Sequence, residues 1–519
     1  MEFWWVVAGL AALLVVGLAA LAVYDVLQRR HAILRNYPVV GHLRFTLEAF
    51  GPELRQYIVT SNDEERPFSR DERRWIYTSA YDRDNTFGFG TDNHVDTTPD
   101  YIVIKQAAFP VAPLPGEPAR PSWDFPVPCA KVLGAAHGRA GAFRPRSIVN
   151  VSAMSFGSLS GAAVEALNRG AAAAGCWQNT GEGGLSAHHR HGADLVFQIG
   201  TGYFGCRDEQ GDFSLERLLR TIEGAPVRAL EIKLSQGAKP GLGGLLPAAK
   251  VTPEIAGMRG IPVGVDCRSP NRHRAFGDVD GLIEFVEQLA AATGLPVGIK
   301  SAVGEEQFWW ELAARMRATG GGPDFVNVDG GEGGTGAAPL VFSDHVSLPF
   351  LRGFPRVYRA FASEDLHHDV VFAGAGRLGM ANRGLTAMAL GCDLVNVARE
   401  AMLAIGCIQS QRCHTGRCPT GVATQSRRLE RGLHPDLKYV RCANYLSTLR
   451  HELLRLARAC GQEHPGAVRP DQVEFLQEGH RSLTAAEVAD YPPGWGTPSD
   501  ADLAALRDEW PEPSVPGGR

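Results

Sequence analysis

Three of the chain's ten cysteines, Cys407, Cys413 and Cys418, stand in a C-x5-C-x4-C spacing, and the last is followed by Pro419. Thiolates this close in sequence are a metal site or an accident of composition. A structural zinc ion takes four ligands, and the fourth would have to come from His414 or from distant Cys442. Iron–sulfur clusters are held by thiolates, and a Cys-Pro terminus recurs in their binding loops. Three cysteines leave one corner of a cubane without a protein ligand, which suits a three-iron cluster. The remaining reading is three buried, unreactive thiols, the ordinary state of free cysteine. Ten cysteines in 519 residues do not make a disulfide framework. Clustered as they are here, they favour metal or redox use in a reducing compartment.

Such a loop needs a scaffold to position it. Between residues 145 and 425, short apolar runs alternate with helical stretches. The runs are 148–151, 176–179, 195–199, 229–234, 297–300, 325–328, 370–373 and 394–397. Runs that are short, apolar throughout and closed by Gly or polar residues suit strands buried on both faces, hence a parallel sheet. Helical patterns at 161–174, 280–293, 305–319 and 381–390 lie between them. Eight β/α units predict a (β/α)8 barrel, with a doubly wound open sheet as the rival. The extra run 261–265 is left over and reads as an insertion.

The chemistry of such a barrel sits at the C-terminal ends of its strands, and polar and Gly-rich residues collect there. The first run leads to Ser152-Ala153-Met154-Ser155-Phe156-Gly157-Ser158, and the second to Asn179-Thr180-Gly181-Glu182-Gly183-Gly184. The fourth carries Lys233 and leads to Ser235-Gln236-Gly237-Ala238-Lys239; the fifth ends at Lys300. The sixth opens into Asp329-Gly330-Gly331-Glu332-Gly333-Gly334-Thr335-Gly336. Glycine lets backbone N–H groups approach a phosphate, and barrels often bind phosphate after strands seven and eight. Gly374, Gly376, Arg377 and Arg399 are therefore the phosphate candidates. Gly374-x-Gly376-x-x-Gly379 also fits a dinucleotide fingerprint, with Asp393 about twenty residues on. Asp393 stands at the start of its strand rather than the end, and Gly331-x-Gly333-x-x-Gly336 fits the same pattern, so the match carries little weight.

Taken in order, these motifs resemble the flavin-binding synthase domain of glutamate synthases. The resemblance runs from about Val149 to Gln425 and includes Glu231-Ile232-Lys233-Leu234-Ser235-Gln236-Gly237-Ala238-Lys239, Gly333-Gly334-Thr335-Gly336-Ala337 and the Cys407–Cys418 loop. It implies a barrel that binds FMN, with a 3Fe–4S cluster on Cys407, Cys413 and Cys418. It implies formation of L-glutamate from 2-oxoglutarate and ammonia, with reduced FMN giving hydride to 2-iminoglutarate. The cluster would begin near the flavin phosphate side and relay single electrons from an external donor, ferredoxin-like or a reductase subunit. His414 would then be a hydrogen-bond donor behind the ligands.

Roles within that reading fall to particular residues. Lys300 is the expected cation beside the flavin N1–C2=O edge, which gains electron density on reduction. Ser152, Met154, Ser155, Asn179, Gly333, Gly334 and Thr335 are expected to line the cofactor. Lys233, Gln236 and Lys239 are expected to hold a dicarboxylate, with Arg272 as a further candidate, and Glu182 is the expected general acid/base. Two departures bear on the substrate. The family's Ser-Pro-Pro-Pro-His is replaced by Ser269-Pro270-Asn271-Arg272-His273, and no cysteine precedes Cys129, so no nucleophile of a glutamine amidotransferase is present. Ammonia or another amine is expected from solution or from a partner amidotransferase chain. The arrangement is also similar to N-methylglutamate synthase large subunits. An FMN oxidase or dehydrogenase of 2-hydroxy acids is a further alternative, as is a tethered redox or scaffolding subunit.

The rest of the chain sets the location. No charged residue occurs at positions 3–24, long enough to cross a bilayer as a helix. Trp4, Trp5 and Tyr24 sit at its ends, and Arg29, Arg30 and Arg35 follow it. The positive-inside bias predicts one N-terminal transmembrane helix with the catalytic domain in the cytoplasm; a docked hydrophobic helix and a cleaved signal peptide are the alternatives. The net charge of −5 gives no electrostatic reason to bind nucleic acid. The expected organisation is an anchor over 1–28, then a small α+β region and connector over 29–128. The connector's seven prolines between Pro110 and Pro128 predict a stiff spacer or wrapping arm. The synthase barrel with its cysteine loop covers 129–430, and a helical extension with a disordered tail covers 431–519.

Overall fold

The computed structural model describes residues 2–114 and 116–510. The expected tail, from Pro511 onward, lies outside the described residues. The chain divides into two compact units, Met1–Arg73 and Arg74–Arg519. The smaller holds the apolar helix Glu2–Leu27, a short helix Ala32–Asn36 and the helix Gly41–Leu54.

The larger unit is built on a closed barrel of eight parallel strands. They are β1 (Val149–Val151), β2 (Gln178–Asn179), β3 (Leu195–Ile199), β4 (Val227–Lys233), β5 (Val297–Ser301), β6 (Phe325–Asp329), β7 (Val371–Ala375) and β8 (Leu394–Val397). Each pairs with the next, and β8 closes on β1 through Val395 opposite Val149. Every apolar run read from the sequence supplies one strand, with ends shifted by a residue or two. The reason is burial: β1, β3, β5, β6, β7 and β8 are buried at every position. Residues 261–265 form a turn, inside an excursion between β4 and the helix Val279–Thr293 that also carries the hairpin Leu245–Leu246/Cys267–Arg268.

Helices follow most strands, each started by local chemistry. Ser160 caps Gly161–Ala173 by accepting from the Ala163 N–H, and Asp278 caps Val279–Thr293 through Gly281. After β2 there is only the turn Ala187–His189. The long helix Pro435–Ala459 packs against Gly161–Ala173, where a Cβ on Gly170 would lie 2.5 Å from Cys442 Cβ. Cys442 is thus core, remote in role from the cysteine loop. The proline-rich stretch wraps this helix: Arg450 donates to the carbonyls of Ser122 and Trp123, and Trp123 Nε1 to Asn444.

The floor of the barrel is plugged. Cys129 and Leu133 pack with Trp177, Val196, Ala229, Phe325, Val371 and Leu394 near the strand beginnings. Below them Lys131 Nζ pairs with Asp393 at 2.9 Å, so Asp393 serves this buried ion pair and not a ribose. The α+β expectation for the N-terminal region resolves differently in detail. Its strand Ile102–Ile104 is the edge of a sheet completed by Val473–Gln477 and Arg481–Thr484, so its pairing partner is the C-terminal extension.

Candidate active site

The loops at the C-terminal ends of the strands meet backbone to backbone, and glycine is what permits it. A Cβ on Gly237, after β4, would stand 1.9 Å from the carbonyl oxygen of Gly330, after β6. One on Gly181, after β2, would stand 2.6 Å from the Ser155 nitrogen, after β1. Gly376, at φ +133°, lies against the Gly330 backbone. These approaches leave no room for side chains and bring the predicted motifs onto one face.

Four predicted substrate residues converge there. Lys233 Nζ lies 3.0 Å from Glu182 Oε1 and 3.1 Å from Gln236 Oε1. Gln236 Nε2 in turn donates to the Gly334 carbonyl at 2.8 Å, so its amide ties Lys233 to the β6 loop. Burial alone would raise the Glu182 carboxyl, but the charges of Lys233 and Lys239 hold it below the usual range. Lys239 is 7% exposed; burial, with Lys233 close by, pulls its ammonium down against the pull of Glu182. His273 joins the group from the β4 excursion, with Nε2 2.9 Å from the Lys233 carbonyl and Nδ1 3.1 Å from the Tyr203 hydroxyl. Burial holds its imidazole below the ordinary value. Arg272 is exposed, so the neighbouring histidine is the inward member of that segment.

A second cluster lies around β6, β7 and β8. A Cβ on Gly334 would stand 2.6 Å from Arg399 Cδ, and the Arg399 guanidinium donates to the Glu332 carbonyl. Burial pulls Arg399 down, Glu400 opposes, and the charge of Arg377 adds to the pull, so the two guanidiniums sense each other. Gly333 donates to the Gly330 carbonyl at 2.8 Å, and a Cβ on Gly374 would stand 2.6 Å from the Phe350 ring. Two neighbouring cations against glycine-lined turns fit an anion such as a flavin phosphate. Lys300 Nζ lies 3.5 Å from Asp329 Oδ2, which also accepts the Gly237 N–H at 2.9 Å. Met154 and Ser152 are buried, and the Ser155 hydroxyl lies 3.0 Å from that of Ser158. The Thr335 hydroxyl donates to Ala337 at a long 3.4 Å.

Asn179 is buried at the end of β2. Its Nδ2 donates to Glu231 Oε1 at 2.8 Å and its Oδ1 accepts the Gly181 N–H. Gln198 and Asn327 also donate to Glu231, which ties β2, β3, β4 and β6 together beneath the site.

The cysteine loop packs on the loop after β1. Lys250 Nζ donates to the carbonyls of Cys413 at 2.8 Å and Ser158 at 3.3 Å, and Gln425 Nε2 to those of Gly157 and Leu159. Tyr77 donates to the Cys407 carbonyl at 2.7 Å. The loop therefore begins after β8 and ends against the loop after β1. Burial pushes the Cys407 thiol up to about 12, with the Gln409 N–H opposing and Cys413 and Cys418 adding. For Cys418 burial is outweighed by the Thr420 hydroxyl and the N–H groups of Ala423, Thr420 and Val422, which hold its thiol below the usual value. A sulfur receiving that many donors fits a thiolate ligand. Among the described residues, however, no three His, Cys, Asp or Glu side chains converge closely enough to hold a metal ion. His414 is exposed.

Tyr203, Asp329 and Lys250 were not singled out from the sequence. Asp329 directly follows a predicted strand, which was a usable signal; a lone Lys in the apolar stretch before Val251 was a weak one.

Residues 137–463 match the family model of a conserved region in glutamate synthase. The chain is 36% identical over 501 residues to the glutamate synthase large subunit-like protein YerD of Bacillus subtilis (strain 168), covering 91% of this chain and 95% of that one. It is 35% identical over 346 residues to the archaeal-type glutamate synthase (NADPH) of Thermotoga neapolitana, covering 66% of this chain and 63% of that one. Among solved structures, mandelate oxidase with (S)-2-phenylpropionate aligns over 80% of this chain and 96% of that one, at 16% identity and TM-score 0.41.

Proposed function

The chain belongs to the glutamate synthase family, and from that premise we propose that it catalyses FMN-dependent reductive amination of 2-oxoglutarate to L-glutamate, with electrons arriving through a 3Fe–4S cluster. A synthase-like oxidoreductase follows from the family. The specific reaction is supported by the convergence of Glu182, Lys233 and Lys239 on the face that also carries Gly334, Arg377 and Arg399.

Bound FMN would supply a hydride, and a cluster, which Cys407, Cys413 and Cys418 would hold, would supply single-electron transfer. The chain's residues do the rest. Arg377, Arg399 and the glycines around Gly334 and Gly376 hold the phosphate. Lys300, paired with Asp329 at 3.5 Å, would supply the cation for the pole of the flavin that becomes electron-rich. Lys233 and Lys239 hold the two substrate carboxylates, and Gln236 fixes Lys233. Ammonia attacks the 2-oxo carbon, water leaves, and the imine carbon receives hydride while its nitrogen keeps a proton. Glu182, ionised beside Lys233, takes the proton released by the attacking amine and returns it to the departing oxygen; a second proton, from solvent, completes the leaving water, so that the nitrogen enters hydride transfer as an iminium. The amine comes from solution or from an amidotransferase partner, and the electrons from a ferredoxin-like protein or a reductase subunit. The catalytic unit faces the cytoplasm from a membrane anchor.

The test is anaerobic turnover of purified full-length protein with 2-oxoglutarate, a low-potential chemical reductant and either ammonium or methylamine. L-Glutamate is the expected product with ammonium. N-methylglutamate alone would reassign the amine, and a preparation with neither flavin nor iron would overturn the reading.

A further inference from the structure

The helix Gly41–Leu54 carries an apolar stripe that is exposed among the described residues. Leu43, Leu47, Phe50 and Leu54 recur at the spacing of one helical face, and they are 60%, 55%, 60% and 43% exposed. Ile58, in the turn that follows, is 71% exposed. Scattered exposed leucines are ordinary, but a continuous stripe marks a binding face.

What the stripe meets is indicated by how its helix is joined to the apolar helix Phe3–Leu27, 25 residues long with none of its most apolar stretch buried. At about 1.5 Å per residue that helix exceeds the roughly 30 Å of a bilayer's hydrocarbon core. Its last turn carries Asp25, fully buried. Asp25 Oδ2 accepts the Val39 N–H at 2.8 Å, and Oδ1 lies 2.9 Å from His42 Nε2. Gln28 Oε1 accepts the N–H groups of Arg30 and His31, both at 2.8 Å. These bonds turn the chain at the end of the span and start the striped helix at that level. Residues 28–59 carry five arginines (Arg29, Arg30, Arg35, Arg44 and Arg55) against two glutamates (Glu48 and Glu53).

We propose that Gly41–Leu54 is an interfacial helix that lies on an anionic lipid surface with Leu43, Leu47, Phe50 and Leu54 in the acyl boundary. An apolar face beside basic residues is the composition such helices use. The Asp25 joint sets the helix at headgroup depth, where the arginines face lipid phosphate. The proposal rests on reading Phe3–Leu27 as a span, and the test separates the two.

Full-length protein is reconstituted in vesicles of phosphatidylglycerol and phosphatidylethanolamine that contain a phospholipid with a carbene-generating acyl chain. Labelled peptides are mapped by mass spectrometry, for the native chain and for Leu47→Glu/Phe50→Glu. Labelling of both 3–27 and 41–58 is expected, with that of 41–58 falling at least tenfold in the variant and that of 3–27 unchanged. Circular dichroism of the variant checks that the fold is kept, and the native labelling pattern decides the matter if it is not. Label on 3–27 but never on 41–58 overturns the interfacial helix and leaves the span. Crosslinks from 41–58 to a second copy, in place of lipid, make it a dimer face and overturn the proposal. No label on either peptide overturns both.

Discussion

At Glu182 three charges share one small volume, and the two lysines do not behave alike. Lys233 is held by Glu182 and Gln236. Lys239 has a charge that burial disfavours, so it loses its proton at a pH below the ordinary lysine range. If Lys239 holds a substrate carboxylate, the KM for 2-oxoglutarate must rise as pH climbs through that lowered value. Lys239→Met should raise KM roughly tenfold at neutral pH, about 1.4 kcal/mol of binding, and abolish the further rise. Steady-state kinetics across pH would show it, and an unchanged KM would remove Lys239 from the substrate. Glu182→Gln should instead lower kcat by about a hundredfold with flavin content intact. Lys250 is a different kind of residue: 4% exposed, paired with no carboxylate among the described residues, and donating to one carbonyl on each of two loops. Lys250→Met removes the donor shared by the Ser158 and Cys413 loops, a loss of about 1–3 kcal/mol. Iron and sulfide per chain should fall by half or more while flavin per chain holds. Equal loss of both would make Lys250 a general support of the fold.

The strands of the barrel were legible because parallel strands buried on both faces leave short, uninterrupted apolar runs. Eight such runs gave eight strands even where β2 has only two residues. The glycine motifs were legible as loops, but not the reason for each glycine. Gly237 is there because its α-carbon faces the Gly330 carbonyl, a contact between elements about ninety residues apart in sequence. Gly237→Ala must push the β4 and β6 loops apart, since backbone cannot move aside as a side chain can. The expected result is loss of flavin and a destabilisation of at least 1–3 kcal/mol, read by flavin absorbance and thermal melting. Native flavin content in that variant would mean the two loops do not build one site. Tyr203 and Lys250 stayed hidden for the opposite reason, and His273 was legible only as the end of a family motif, with no role attached. His273 and Lys250 lie on an excursion with little periodicity, and Tyr203 on the irregular stretch after β3, so nothing local says which side chains turn inward. The pairing of Ile102–Ile104 with Val473–Gln477 was illegible too, because register across so long a separation is set by packing and not by composition.

At the scale of the whole molecule, stability against acid follows from histidines that the fold keeps neutral. His464 is 3% exposed; its Nδ1 accepts the Gly466 N–H at 3.0 Å, so Nε2 carries the proton that goes to the Pro128 carbonyl at 2.9 Å. Protonation of Nδ1 would set a donor against a donor, and burial holds the group down to about 4. His189 is fully buried, accepts the Ser186 N–H at Nδ1, and is held to about 3, again by burial first. Both begin near 6.5 when unfolded, so between those values the unfolded chain binds protons that the folded chain refuses. The sign follows: their contribution is whole above pH 6.5 and is lost as pH falls through the unfolded value towards the folded one, roughly 3 kcal/mol for His464 and roughly 5 kcal/mol for His189 at the limit. The melting temperature should therefore drop between pH 6.5 and 4. Acidic residues add their own titration lower in that range, so the decisive comparison is a variant. His464→Gln cannot be protonated; it should melt lower than the native chain at pH 7.5, and the gap should close as pH approaches 4. A gap that stays constant from pH 7.5 to 4 would show that His464 is not held neutral by its surroundings, and that the fold's acid sensitivity lies in its carboxylates.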